Sequence, residues 1–179
     1  MIIFNLDGTL ADCEHRRHFI DPYKNENLAA RYKKDTTDIG FEWFNKETQE
    51  IWEPDYSAFY EACDKDEPIL PVIMCFEHFV DNFGSERIQI WSGRCESTRQ
   101  KTIEWLDKWV PYFSNKIEIK MRPLGDVTPE HKLKQKWLNE VESAVRKSLF
   151  VFDTGQKVCR MWRLNDIFVF NCNQTEYEY

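Results

Sequence analysis

No stretch of this 179-residue chain approaches the roughly 20 consecutive apolar residues that a membrane-spanning helix needs, so no membrane partner is expected. The six cysteines (13, 63, 75, 95, 159 and 172) include no CxxC pair. Scattered thiols of this kind argue against a zinc ribbon or a disulfide framework and for a reducing, cytosolic setting. An excess of basic residues is also missing. With 24 Lys and Arg against 31 Asp and Glu, the net charge is −7. Such a chain is a poor nonspecific binder of long polyanions, although a local basic site is not excluded. There is no internal repeat, no low-complexity segment and, because the N-terminus itself reads as a strand, no expected signal peptide. What the chain does have is apolar bulk, with 42% hydrophobic residues and 13 Phe, 7 Tyr and 7 Trp. That is enough to build the core of a single domain over 1–179, with room for a small insertion.

The periodicity alternates between strand and helix. Strands are predicted at Met1–Asn5, Arg87–Trp91, Ile117–Met121, Ser148–Asp153 and Ile167–Asn171. Between them lie helices over Val72–Phe83 (ended by Gly84), from Ser92-Gly93-Arg94 to about Val110, from Pro129 to about Ala144 with Thr128 as N-cap, and over Gln156–Arg163. The pattern predicts an α/β fold whose mainly parallel sheet is covered by helices on both faces. Ligands bind such sheets at the carboxyl ends of the strands. Residues 21–71 interrupt the alternation and read as a small inserted cap. Lys24, Arg31, Lys33 and Lys34 fall there beside Phe41, Trp43, Phe44 and Trp52. Two readings stand: a solvated lobe with its own aromatic cluster, or a lid that stacks on a planar base.

Polar residues collect where the strands end. Asn5 and Asp7 flank Leu6, so an extended backbone turns both toward one pocket. Asp7 can protonate a leaving alcohol and then deprotonate water. Gly8 permits a tight turn and Thr9 orients the loop. Ser92 and the Gly93 N–H can bond phosphoryl oxygens, and Arg94 offers a fork of donors. Lys134 can neutralise the charge of a bound phosphate, with Glu130 one turn earlier to hold it. Asp153 suits a Mg²⁺ site that uses few carboxylates. Taken singly these are ordinary features: an Asp-Gly-Thr turn, a helix cap, a solvated lysine. Their order along an alternating chain, all at strand ends, is what points to phosphoryl chemistry.

Asn5-Leu6-Asp7-Gly8-Thr9 resembles the Asp-x-Asp-Gly-Thr loop of the haloacid dehalogenase (HAD) superfamily, whose parallel Rossmann-like sheet matches the predicted fold. The likeness extends to Ala11-Asp12 with His15-Arg16, to Trp91-Ser92-Gly93-Arg94, to Met121-Arg122-Pro123 and Gly125-Asp126 ahead of Glu130 and Lys134, and to Phe150-Val151-Phe152-Asp153 with Gln156-Lys157-Val158 and Met161-Trp162-Arg163. These motifs are similar to the phage and bacterial branch that includes the 3′-phosphatase domain of polynucleotide kinase. The resemblance implies an aspartyl-phosphate mechanism, Mg²⁺ held around positions 5, 7 and 153, a phosphate or substrate contact at Arg16, and a bacterial or phage-infected host cytosol. His15 and His18 are read as structural or rim residues.

Two positions depart from that pattern. Position 5 carries an amide where the branch has its nucleophilic carboxylate, and Thr154-Gly155 stands where a second acidic residue serves the metal. Asn5 is either a deliberate trap or the mark of a natural pseudoenzyme; the completeness of the other positions favours the trap. The amide preserves shape but cannot attack phosphorus. The expected function is a Mg²⁺-dependent nucleotide phosphomonoesterase, of 5′-nucleotidase type, inactivated at Asn5. The alternatives are a polynucleotide 3′-phosphatase and a noncatalytic binder of phospho-ligands or partners.

Overall fold

The structure, a computed structural model, describes residues 1–37, 40–110 and 117–173, with the backbone alone at 33–37, 40–42 and 44. In chain order the elements are β1 (Ile2–Phe4), β2 (Ala11–Asp12), α1 (Glu26–Arg31), β3 (Lys33–Thr37), β4 (Gly40–Phe44), β5 (Ile51–Trp52), α2 (Tyr56–Glu61), β6 (Glu67–Pro68) and α3 (Leu70–Phe83). There follow β7 (Ile88–Cys95), α4 (Arg99–Trp109), β8 (Glu118–Arg122), α5 (Glu130–Glu140), α6 (Ser143–Arg146), β9 (Phe150–Asp153), α7 (Gln156–Leu164) and β10 (Phe168–Asn171).

Five strands form a parallel sheet in the order β10-β9-β1-β7-β8. The central strand β1 is Ile-Ile-Phe, β-branched and aromatic, and all three residues are buried. Strand alternation divides them between two cores. Ile2 and Phe4 join Phe76, Leu106 and Phe152 on the side of α3 and α4. Ile3 joins Trp91, Leu133, Val151 and Trp162 on the side of α5 and α7. Both faces are therefore covered, as a fully parallel sheet requires. Phe4 lies flat against Phe152, with centroids 4.5 Å apart, and edge-on to Phe76 at 5.0 Å. Burying a side chain of this size contributes roughly 1.5–3 kcal/mol.

Three predicted boundaries need correction. Strand β7 does not stop at Trp91 but continues through Ser92-Gly93-Arg94 to Cys95, because Cys95 still pairs with Arg122 of β8 across an irregularity in register. A short 3₁₀ turn, Glu96–Thr98, then leads into α4. Thr128 is not the N-cap of α5. That position belongs to Pro129, in extended conformation, while the Thr128 carbonyl accepts from Arg122 Nη1 at 2.5 Å. The helix ends at Glu140 rather than near Ala144. Arg146 reaches back to the carbonyls of Val141 and Asn139, both at 2.8 Å, and satisfies the end of the helix.

Strands β3, β4 and β5 form a separate antiparallel sheet, and β2 pairs with β6. Beside this small sheet Trp43 meets Tyr23 edge-on at 4.6 Å. The side chains of Lys33, Lys34, Phe41 and Phe44 lie outside the described set. Among the described residues no helix is long and apolar enough to cross a membrane.

Candidate phosphoryl site

The carboxyl ends of β1 and β9 are neighbours and carry Asn5 and Asp153, and Ser92 lies within β7, the strand on the other side of β1. Asn5 follows β1 directly, its N–H bonded to the Phe152 carbonyl at 2.8 Å. The chain then folds tightly: the N–H groups of Thr9, Leu10 and Ala11 all point at the Leu6 carbonyl. Gly8 sits at φ +75°, where a Cβ would be strained and would meet Thr154 at 3.2 Å.

Lys134 rises from α5 into this floor and is fully buried. Its ammonium donates to Asn5 Oδ1 at 3.0 Å and Asp153 Oδ2 at 2.8 Å and pairs with Glu130 Oε1 at 2.7 Å. Three N–H donors meet three acceptors. Burial alone would lower the lysine's pKa, but Asp153 and Glu130 outweigh it and raise the value, so the ammonium stays charged. Glu130 reaches across only because residue 93 is glycine: a Cβ there would lie 2.9 Å from the Glu130 carboxyl carbon.

The Asn5 amide serves two partners of opposite kind. Its oxygen accepts from Lys134, and its Nδ2 donates to the Asp7 carbonyl at 2.7 Å, with the Thr9 hydroxyl at 3.5 Å. Thr9 in turn shares a 2.6 Å hydrogen bond with the Thr154 hydroxyl.

Beside this floor stands a second network of buried charge. Arg16 and Arg94, both fully buried, converge on Asp7 and Asp66. Arg16 donates to Asp7 Oδ1 at 2.8 Å and to both oxygens of Asp66 at 2.7 Å. Arg94 donates through Nε to Asp7 at 2.8 Å and through Nη2 to Asp66 at 2.5 Å. His15 adds a contact to Asp66 at 2.9 Å, and the Trp105 indole N–H bonds the Asp66 carbonyl at 2.7 Å. Burial would raise the Asp7 pKa, yet the two guanidiniums, Arg94 foremost, hold it below the usual carboxylate range. Asp7 is therefore set up as a carboxylate, an acceptor or base. It can serve as the expected acid only after the arginines have moved away. The forks of Arg16 and Arg94 are likewise spent on carboxylates rather than presented to an open pocket. Ser92 is buried, and its hydroxyl accepts from the Arg94 N–H at 3.2 Å.

Sequence reasoning missed Asp66 and Tyr60. Tyr60, on α2, hydrogen-bonds Arg122, and burial pushes its phenol up to about 12. Arg122 also donates to the Gly93 carbonyl at 2.9 Å. Neither residue sits in a motif. Each contributes because the segment between β5 and α3 packs against residues of the strand ends.

The sequence matches the family model described as the polynucleotide kinase PNKP phosphatase domain over residues 55–177. This chain belongs to that family. It is a HAD-superfamily phosphatase scaffold, on the α/β fold predicted from its pattern. The Asn5–Thr9 loop precedes the matched stretch. Two solved structures are similar in fold: a chain of the Pnkp1/Rnl/Hen1 RNA repair complex (TM-score 0.62, 21% identity) and one described as the Pnkp1/Rnl/Hen1 complex (TM-score 0.59, 21% identity). Each comparison covers 98% of this chain but only 43% and 46% of the other, so the chain spans less than half the length of those proteins. No curated protein sequence matches.

HAD phosphatases generally use Mg²⁺, but the donor set in this chain does not fit it. Of the expected ligands Asn5, Asp7 and Asp153, only two are anionic and both are engaged. Asp153 Oδ1 accepts from the N–H groups of Thr154 (2.8 Å) and Gly155 (3.4 Å), and its Oδ2 from Lys134 and the Trp162 indole (3.2 Å). Asp7 is clamped by two arginines. Among the described residues no three His, Cys, Asp or Glu side chains converge on a point that would hold a metal ion.

Proposed function

We propose that this chain recognises the terminal phosphate monoester of a nucleic-acid 3′ end and does not hydrolyse it. The observation that carries the reading is the Asn5 amide held between Lys134 and the Asp7 carbonyl, in the place where a phosphatase of this fold needs an anionic nucleophile. An amide has no charge to attack phosphorus. The groups that would meet a phosphate are the Ser92 hydroxyl, the Gly93 N–H and, once released from their present acceptors, the Lys134 ammonium and the guanidiniums of Arg94 and Arg16. Residues 21–71 act as the cap. The Asp66 carboxylate and Tyr60 belong to it, so closing the cap and holding the arginines in place are one event.

Two terminal phosphates fit such a pocket: a mononucleotide and a polynucleotide end. The second is favoured by membership in the polynucleotide kinase phosphatase family and by similarity to a protein of an RNA repair complex. The test is fluorescence anisotropy with labelled single strands that differ only in a 3′-phosphate or 3′-hydroxyl, competed by mononucleotides. The expected result is tighter binding of the 3′-phosphorylated strand, by at least about tenfold for one charge-assisted group worth 1.4 kcal/mol or more. Affinity should fall with salt more steeply than for the mononucleotide. Equal affinity for the two strand ends overturns the reading.

A further inference from the structure

We infer that the phosphoryl pocket of this chain works without a divalent metal, the amide of Asn5 and the hydroxyl of Thr154 filling the space and the charge balance that a bound cation would otherwise supply. Asn5 Nδ2 lies 2.7 Å from the Asp7 carbonyl oxygen. A carboxylate at position 5 would set two acceptors that distance apart, with nothing between them unless a proton or a cation entered. The amide hydrogen removes the need. Its second neighbour, the Thr9 hydroxyl, is tied at 2.6 Å to Thr154, which is 2% exposed and packs over Gly8. An acidic residue at 154 would again place negative charge on this floor; threonine places none.

The charge sum leaves one unit of negative charge, half of what a divalent ion carries. On the floor Lys134 faces Asp153 and Glu130, one cation against two anions, and the arginine network beside it is balanced, with Arg16 and Arg94 against Asp7 and Asp66. Carboxylates at positions 5 and 154 would add two negative charges, the quantity a divalent ion cancels. Asn5 and Thr154 are thus a matched pair of neutral residues: changing one alone leaves a half-built metal site. All four hydrogen-bonding positions of Asp153 are filled by protein donors. It has nothing left to offer a metal, so a divalent ion needs new carboxylates.

The experiment has two arms. In the first, binding of a 3′-phosphorylated oligonucleotide to the unaltered chain is measured in EDTA and in millimolar MgCl₂ at equal ionic strength, and the two affinities should agree. In the second, Mg²⁺ is titrated into the unaltered chain, N5D, T154D and the N5D/T154D double variant, following Tm and, with Mn²⁺ as probe, the EPR signal of free ion. The unaltered chain and both single variants should show no metal-dependent rise in Tm. The double variant, destabilised in EDTA, should recover with metal and deplete free Mn²⁺. Loss of oligonucleotide binding in EDTA, or a Mg²⁺-dependent rise in Tm of the unaltered chain or of either single variant, overturns the inference. If the double variant does not fold, the unaltered chain and the single variants still decide. Phosphate binding enters only through the first arm. The Mg²⁺ titration stands whether or not the pocket takes a phosphate, so failure of the proposed function and failure of this inference are told apart.

Discussion

Removing the Asp66 carboxylate should unhinge the pocket from the inside. Asp66 is fully buried and accepts from Arg16 through two nitrogens at 2.7 Å and from Arg94 at 2.5 Å. Asp66→Ala would leave two buried guanidiniums sharing a single carboxylate, Asp7. Deleting one partner of a buried ion pair costs about 3–5 kcal/mol, because the remaining charge has lost its counter-ion but not its burial. For a chain of this size each kcal/mol moves Tm by about 2–4 °C, so the expected drop is about 6–20 °C. Urea denaturation followed by tryptophan fluorescence, with calorimetry alongside, measures it. Two controls locate the cause. Asp66→Asn keeps the volume and should cost nearly as much as alanine, because the charge is what matters. In the double variant Asp66→Ala/Arg16→Met the loss should be smaller than the sum of the single losses, since one orphaned charge leaves with its partner. A change below about 1 kcal/mol for Asp66→Ala, the range of exposed pairs, would refute the buried-network account.

Other consequences follow from the same geometry. Lys134→Met removes the cation that joins Asn5, Asp153 and Glu130, and should destabilise by about 3–5 kcal/mol in urea titration while abolishing selectivity for the 3′-phosphate. Gly93→Ala places a methyl against the Glu130 carboxyl; the glutamate should swing out, with a stability loss of about 1 kcal/mol and weaker phosphate binding. The folded pKa of Asp7 is depressed, so its contribution is present above the unfolded value of about 3.9 and is lost as pH falls through the lower folded value; Asp7→Asn should flatten the acid limb of a stability–pH profile. Lys134 has the opposite sign. Its contribution is complete below about 10.4 and fades as pH rises through its raised folded value, which Lys134→Met should abolish at the alkaline limb.

The parallel sheet was legible because its central strands are short continuous apolar runs, Ile-Ile-Phe and Phe-Val-Phe, separated by amphipathic helices. The end of β7 was not. Ser92-Gly93-Arg94 looks like a turn in isolation, and only its pairing with β8 through Cys95 and Arg122 keeps it extended. Asn5, Asp7, Lys134 and Asp153 were readable because strand ends and helical spacing are local signals. Asp66 left no such signal. It sits in Cys63-Asp64-Lys65-Asp66-Glu67, a charged run that reads as solvent-facing, and its partner Arg16 lies 50 positions away. Nor do the residues alone announce that Arg16 and Arg94 are spent on carboxylates; that is a property of where the segment carrying Asp66 meets the sheet.

The central claim is a pocket that takes a terminal phosphate and has no nucleophile to turn it over. One ³¹P NMR experiment tests both parts: a 3′-phosphorylated oligonucleotide with excess protein and MgCl₂, followed over days. A shifted monoester resonance that persists, with no inorganic phosphate growing in, is the predicted result. Growth of an inorganic phosphate signal above a protein-free control, or a monoester resonance that never shifts, would contradict it.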